Sequence, residues 1–212
     1  IYYSSTYNTE IQASTSVDTW YHIVYTYTAS TKAIEVFLNG NSIGTDTLNA
    51  STSGTISSTQ LLGGVNSGGS IDADLDQYRI FSKALSQSEI DTLYAETACV
   101  YTSTTDIVNY PTGTTPIAYY KLDNSSEDYS TGGNDGTDTN VEYRFGRFGQ
   151  AAVFNGSSSS IVVEDSSSNT FGFANHTGTA SAWVNINSFS AENNILAKRD
   201  TGNPGNRQWM LL

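Results

Sequence analysis

Between positions 20 and 28 the chain alternates two sets of side chains, with Tyr21, Ile23, Tyr25 and Tyr27 on one side and Trp20, His22, Val24 and Thr26 on the other. A two-residue period is that of a β-strand, and bulky groups on both sides predict a central one, with His22 packed inside it. Strands over 33–38 and 41–45 flank Asn39-Gly40, a pair whose tolerance of positive φ predicts a tight hairpin. Gly63-Gly64 and Gly68-Gly69 bracket a loop ahead of an acidic strand at 71–81. Further strands are predicted near 117–122, 150–155, 160–164, 180–187, 195–198 and 208–212.

One segment departs from this pattern. Ser86-Gln87-Ser88-Glu89 has the form of a capping box and predicts a helix of about three turns. Ile90, Leu93 and Tyr94 then share one side, which packs on the strands. Residues 97–116 show no clear period and carry Pro111, Gly113 and Pro116, so they read as a linker or crossover.

Composition narrows the class. At 212 residues the chain can bury one good core, and two complete sandwiches do not fit in that length. Charged residues are 14% while Tyr numbers 14 among abundant Ser, Thr, Asn and Gly, the mix of a hydroxyl-rich extracellular β protein. A formal charge of −12 argues against nucleic acid and makes calcium the natural counter-ion. Cys99 stands alone, which excludes an intrachain disulfide. No run of about twenty apolar residues exists to insert in a membrane as a helix.

The acidic strand carries the sharpest chemical signal. Asp72, Asp74 and Asp76 alternate, which puts three carboxylates on one face about 6.6–7 Å apart. Paired carboxylates invite glycoside hydrolysis, and that spacing alone does not exclude it. His22 and His176 lack the company of further ligands for zinc. Gly132-Gly133-Asn134-Asp135-Gly136 lacks the Lys and following helix of a phosphate cradle and reads as a turn.

Several blocks resemble the laminin-G-like branch of the concanavalin A-like lectin/glucanase superfamily. Ile71-Asp72-Ala73-Asp74-Leu75-Asp76-Gln77-Tyr78-Arg79-Ile80-Phe81 and the helix after it are similar to that family's C-terminal part, with Asp76 in its Leu/Ile-Asp-x-x-Arg-Ile pattern. Ile117-Ala118-Tyr119-Tyr120-Lys121-Leu122-Asp123, Asp128-Tyr129-Ser130 and Phe148-Gly149-Gln150-Ala151-Ala152-Val153-Phe154-Asn155-Gly156-Ser157 are similar to its N-terminal part. Trp20-Tyr21-His22-Ile23-Val24, Val36-Phe37-Leu38-Asn39-Gly40 and Ser181-Ala182-Trp183-Val184 fall in matching halves.

The resemblance implies an all-β jelly-roll sandwich of two antiparallel sheets with one short helix. Its order is permuted: residues 1–100 form the late half, 101–116 a linker and 117–212 the early half, expected to complete one domain. The source is then a permuted domain or a slice through two neighbouring repeats of a tandem array. The resemblance also implies one structural Ca²⁺ near Asp76, Asp128 and the Asn155-Gly156 turn, and no catalytic residues, since the Glu pair of the glucanases is missing. Trp20 and Trp183 match buried family positions. Ligand candidates lie in polar loops, at Asn66, Asp200, Asn203 and Arg207. The expected function is noncatalytic recognition of a glycan or surface glycoconjugate by an extracellular, cell-surface or virion protein. A purely structural repeat and a glucanase-type hydrolase are the alternatives.

Overall fold

Runs of aromatic and β-branched residues bounded by Gly, Asn and Ser give strands, and only the capping-box segment gives a helix among the described residues. The computed structural model describes residues 2–4, 10–47, 58–65, 69–96, 113–164, 176–189, 196–200 and 207–211. The first half holds β1 (Tyr2–Ser4), β2 (Glu10–Gln12), β3 (Trp20–Thr28), β4 (Ala33–Leu38), β5 (Asn41–Thr47), β6 (Ser58–Leu62), β7 (Gly64–Val65), β8 (Gly69–Ser70), β9 (Asp72–Phe81) and α1 (Gln87–Tyr94). The second half holds β10 (Ala118–Tyr120), β11 (Gly136–Thr139), β12 (Glu142–Phe145), β13 (Gln150–Asn155), β14 (Ser160–Glu164), β15 (Gly178–Ser188), β16 (Leu196–Asp200) and β17 (Arg207–Leu211).

Two sheets face each other. The larger runs β12-β13-β9-β15-β3-β4-β5, with β10 also paired to β9, and the smaller runs β11-β14-β6-β16-β17. Every pairing among the described residues is antiparallel, and both sheets mix strands from the two halves of the chain. β9 lies between β13 and β15, so its neighbours come from the other end of the sequence. β1 touches β17, which places the two ends of the chain at the same side of the molecule.

The core lies between the sheets. Ile23, Tyr25, Leu75, Tyr78, Ile80, Phe154 and Val184 of the larger sheet meet Leu62, Ile161 and Val163 of the smaller one. Each buried aliphatic or aromatic side chain contributes roughly 1.5–3 kcal/mol, so this one cluster supplies most of what opposes chain entropy. On the opposite face of the larger sheet, Val24, Phe37 and Phe81 form a second cluster with Leu85, Ile90 and Leu93 of the α1 segment.

Local signals explain the turns. Asn39 and Gly40 both take positive φ, 50° and 78°, closing the β4–β5 hairpin. The helix starts as expected, with the Glu89 carboxylate accepting from Ser86 N at 2.8 Å and Ser86 Oγ at 2.9 Å. Desolvation opposes it, but hydrogen bonds from Lys83, Ser86 and Thr114 pull the Glu89 carboxyl down to about 2. The helix is shorter than three turns, ending at Tyr94 because Glu96 turns inward to meet Arg79. β10 likewise stops at Tyr120, ahead of Leu122, which turns the chain with a φ of 62°.

Candidate functional site

A β-bulge decides which side chains reach the outer face of the larger sheet. Along β9 and β15, Trp183 pairs with Asp76 but Ser181 pairs with Arg79, and Gln77 is extra with a φ of 53°. An extra residue inverts the alternation. Asp72, Asp74 and Asp76 therefore face outward before the bulge and Arg79 and Phe81 after it, while Leu75, Tyr78 and Ile80 stay in the core.

The three aspartates have three different surroundings. Asp72 accepts from Ser188 Oγ at 2.5 Å near the surface. Asp74 is buried and takes both arms of the Arg144 guanidinium, Nε at 3.0 Å and Nη2 at 2.8 Å. Asp76 is fully enclosed beneath the loop 146–149; Phe148 N donates to its Oδ2 at 2.7 Å, and its Oδ1 has no partner.

That loop is built around two carboxylates. Gly146 N donates to Gly149 O at 3.0 Å, and a Cβ on Gly146 would lie 2.8 Å from Asp76 Oδ2. Gly149, at φ 72°, would carry its Cβ to 2.3 Å from Asp123 Oδ1, so neither position admits a side chain without a shift. Asp123 sits between two left-handed residues, Leu122 and Asn124, and accepts from Gln150 N at 2.5 Å. Burial pushes the Asp76 carboxyl up to about 8, and the neighbouring Asp123 charge adds to the shift. An enclosed, unpaired carboxylate oxygen beside a second carboxylate suits a hard cation by charge and donor type. Among the described residues no cluster of three or more His, Cys, Asp or Glu side chains exists, so further ligands would be backbone oxygens or water.

The other expected ligands have hydrogen-bond partners of their own. Asp128 Oδ1 accepts from Tyr119 N and Ser130 N, and Oδ2 from Asn134 N, all at 2.9–3.0 Å. Although desolvation opposes them, these amides hold its carboxyl below the usual range. Asn155 Oδ1 accepts from Ser157, Ser158 and Ser159 amides at 2.8–3.2 Å, which shapes its turn with Gly156 at φ 74°. Asn155 pairs with Asp72, four residues and about 13 Å along the strand from Asp76. The structure thus brings Asp76 to Asp123, a residue outside the expected ligand set. Asn66 and Asn203 lie outside the described residues; Asp200 ends β16 and Arg207 starts β17, on the smaller sheet.

Beside Asp76 the outer face opens into a cleft of about 420 Å³ lined by Trp20, Asn39, Tyr94, Ala95, Glu96, Arg147 and Trp183. Trp183 is its buried floor, with His22 at 5.2 Å and Tyr94 at 5.8 Å between ring centroids, and the Arg147 guanidinium 4.7 Å over its ring. Tyr94 is 40% exposed; Trp183 is packed as expected, whereas Trp20 is only half-buried. Glu96 Oε1 binds the buried Arg79 at 2.8 Å, and its Oε2 has no partner. Burial raises the Glu96 carboxyl, against the attraction of Arg79. Trp183 Nε1 and His22 Nδ1 are likewise buried without partners. Desolvation, then the Arg79 charge, depresses His22 to about 3, so its imidazole is neutral.

Residues 2–91 match the laminin-G-like family model of the concanavalin A-like lectin/glucanases superfamily. Searches of curated proteins and of solved structures return no match.

Proposed function

We propose that this sandwich, whose residues 2–91 belong to the concanavalin A-like lectin/glucanases superfamily, is a noncatalytic recognition module for carbohydrate or a surface glycoconjugate. Laminin-G-like domains are in general binding modules and typically extracellular, and no helix among the described residues is long and apolar enough to cross a membrane. The observation that carries the reading is the fate of the aspartate row. A hydrolase needs two carboxyl groups open to substrate, yet Asp74 is committed to Arg144 and Asp76 is enclosed under the 146–149 loop.

A structural Ca²⁺ belongs to this proposal. Asp76 and Asp123 are the residues that would hold it, and a bound cation would neutralise the buried charge and clamp the 146–149 loop onto β9. The proposed domain is a permuted one, with residues 1–100 supplying the late strands and 117–212 the early ones. It acts outside the cell, at a cell surface or on a virion, alone or beside neighbouring repeats.

A glycan array probed with the whole chain, in calcium and in chelator, tests recognition. Saturable binding to a subset of glycans is expected, with no release of oligosaccharides from bound polysaccharides. Absence of binding in both conditions would return the reading to a purely structural repeat.

A further inference from the structure

Seven buried side-chain atoms without hydrogen-bond partners among the described residues lie on one face of the larger sheet and the segment packed beside it. They are His22 Nδ1, Asp76 Oδ1, Arg79 Nε and Nη1, Glu96 Oε2, Trp183 Nε1 and Asn185 Oδ1, carried by β3, β9, β15 and the segment just after α1. Two of them, on Trp183 and Glu96, belong to walls of the 420 Å³ cleft. Trp183 is 3% and Glu96 7% exposed, so both polar side chains are nearly enclosed and both have a free hydrogen-bonding group. A buried donor or acceptor left unpaired is costly, and native folds rarely gather several without something to satisfy them.

We propose that this cleft binds one uncharged pyranose, its apolar face against the rings of the exposed Tyr94 and the half-buried Trp20 and its hydroxyls shared among Glu96, Trp183 and Arg147. The assignment rests on the recognition reading above and gives it a place and a ligand class.

The lining decides the class. A sugar ring has a flat apolar side and a rim of groups that both donate and accept, and the residues lining the cleft combine aromatic rings with the Arg147 guanidinium and with Glu96 and Trp183, each of which carries a polar atom without a partner. Arg147 makes ring contacts to Phe148 and Trp183 and has no carboxylate partner among the described residues, so its N–H edges remain available. An apolar ligand would leave the Trp183 donor and the Glu96 acceptor unpaired. An anionic ligand would meet the Glu96 carboxylate on a chain of net charge −12. A cation would meet Arg147. The volume is near the lower end for ligand pockets, about 300–1,000 Å³, which suits one ring with its neighbours in solvent.

The loop that encloses Asp76 also presents Arg147. Gly146 and Gly149 let the backbone sit on Asp76 and Asp123, and that close approach sets Arg147 above Trp183.

The test is saturation-transfer NMR on the whole chain with methyl glycosides of glucose, galactose and mannose, and with methyl glucuronide as the charged comparison. Arg147→Ala and Tyr94→Ala remove exposed side chains, and thermal melts check that both variants fold. Binding of at least one neutral glycoside, weakened about tenfold or more in Arg147→Ala, is the expected result. Neutral-glycoside or array binding that survives both substitutions would place the site elsewhere and leave the recognition reading standing. Binding of the glucuronide alone would overturn the uncharged class. No saccharide bound here or on the array would overturn both the site and the recognition reading.

Discussion

Removing the Glu96 carboxylate strands a charge inside the protein. Arg79 is fully buried, with Nη2 donating to Glu96 Oε1 at 2.8 Å and Gln77 Oε1 at 3.0 Å, and its guanidinium lies 4.6 Å from the Tyr119 ring centroid. The guanidinium stays charged at any accessible pH, so in Glu96→Ala it loses its counter-charge without losing its own. Breaking a buried pair this way costs about 3–5 kcal/mol, whereas replacing both partners by apolar side chains is often near neutral. At about 2–4 °C per kcal/mol for a chain of this size, Glu96→Ala should melt about 6–20 °C lower. The double replacement Arg79→Met with Glu96→Leu should recover most of that loss. Urea titration followed by tryptophan fluorescence and circular dichroism measures both. A Glu96→Ala protein within about 1 kcal/mol of the parent, with unchanged m, would show that the pair does not hold the end of α1 to the sheet.

Three further outcomes follow from the same geometry. His22, depressed to about 3 in the fold against an ordinary 6.5, lends stability above pH 6.5 that drains as pH falls through that window; from pH 7 to 5 the loss is about 2 kcal/mol. Asp76, raised to about 8, works in the opposite direction, so the check is the pH 7-to-5 stability change in the parent minus that in His22→Gln, and a zero difference would refute it. Adding excess Ca²⁺ should raise the melting temperature over that in chelator, an effect lost in Asp123→Asn; identical curves for the parent protein would remove the proposed ion. Joining residue 212 to residue 1 by a short linker and opening the chain within 101–112 should leave the fold intact, with stability within about 1 kcal/mol, because β1 already touches β17. A rearranged chain that fails to fold in far-ultraviolet circular dichroism would count against the permuted order.

The repeating features were the legible ones. Alternation over 20–28 placed β3 inside its sheet, Asn39-Gly40 marked the β4–β5 hairpin, and Ser86 with Glu89 marked the helix start, because each is set by local chemistry. The outward row of Asp72, Asp74 and Asp76 was also readable from spacing. What came next was not. The bulge at Gln77 inverts the pattern through a single left-handed residue, and nothing in Asp76-Gln77-Tyr78 announces it. Asp123 falls at the end of a strand motif, but its place beside Asp76 depends on Leu122 and Asn124 both adopting positive φ, which non-glycine residues seldom do. A weak signal existed in Gly146 and Gly149 flanking Arg147-Phe148, since paired glycines often mark backbone pressed against another group. Arg147 and Glu96 meet in one cleft only through tertiary contacts between segments about fifty residues apart, beyond the reach of any local pattern.

The central claim is that this chain binds a saccharide and leaves it unchanged. Titrating the whole chain with a polysaccharide bearing an array-positive glycan, in a calorimeter run on for hours, measures both halves at once. The expected record is a saturating isotherm that settles to a flat baseline, with the recovered polysaccharide unchanged in length. Sustained heat with new reducing ends, or no binding heat at any concentration, would contradict it.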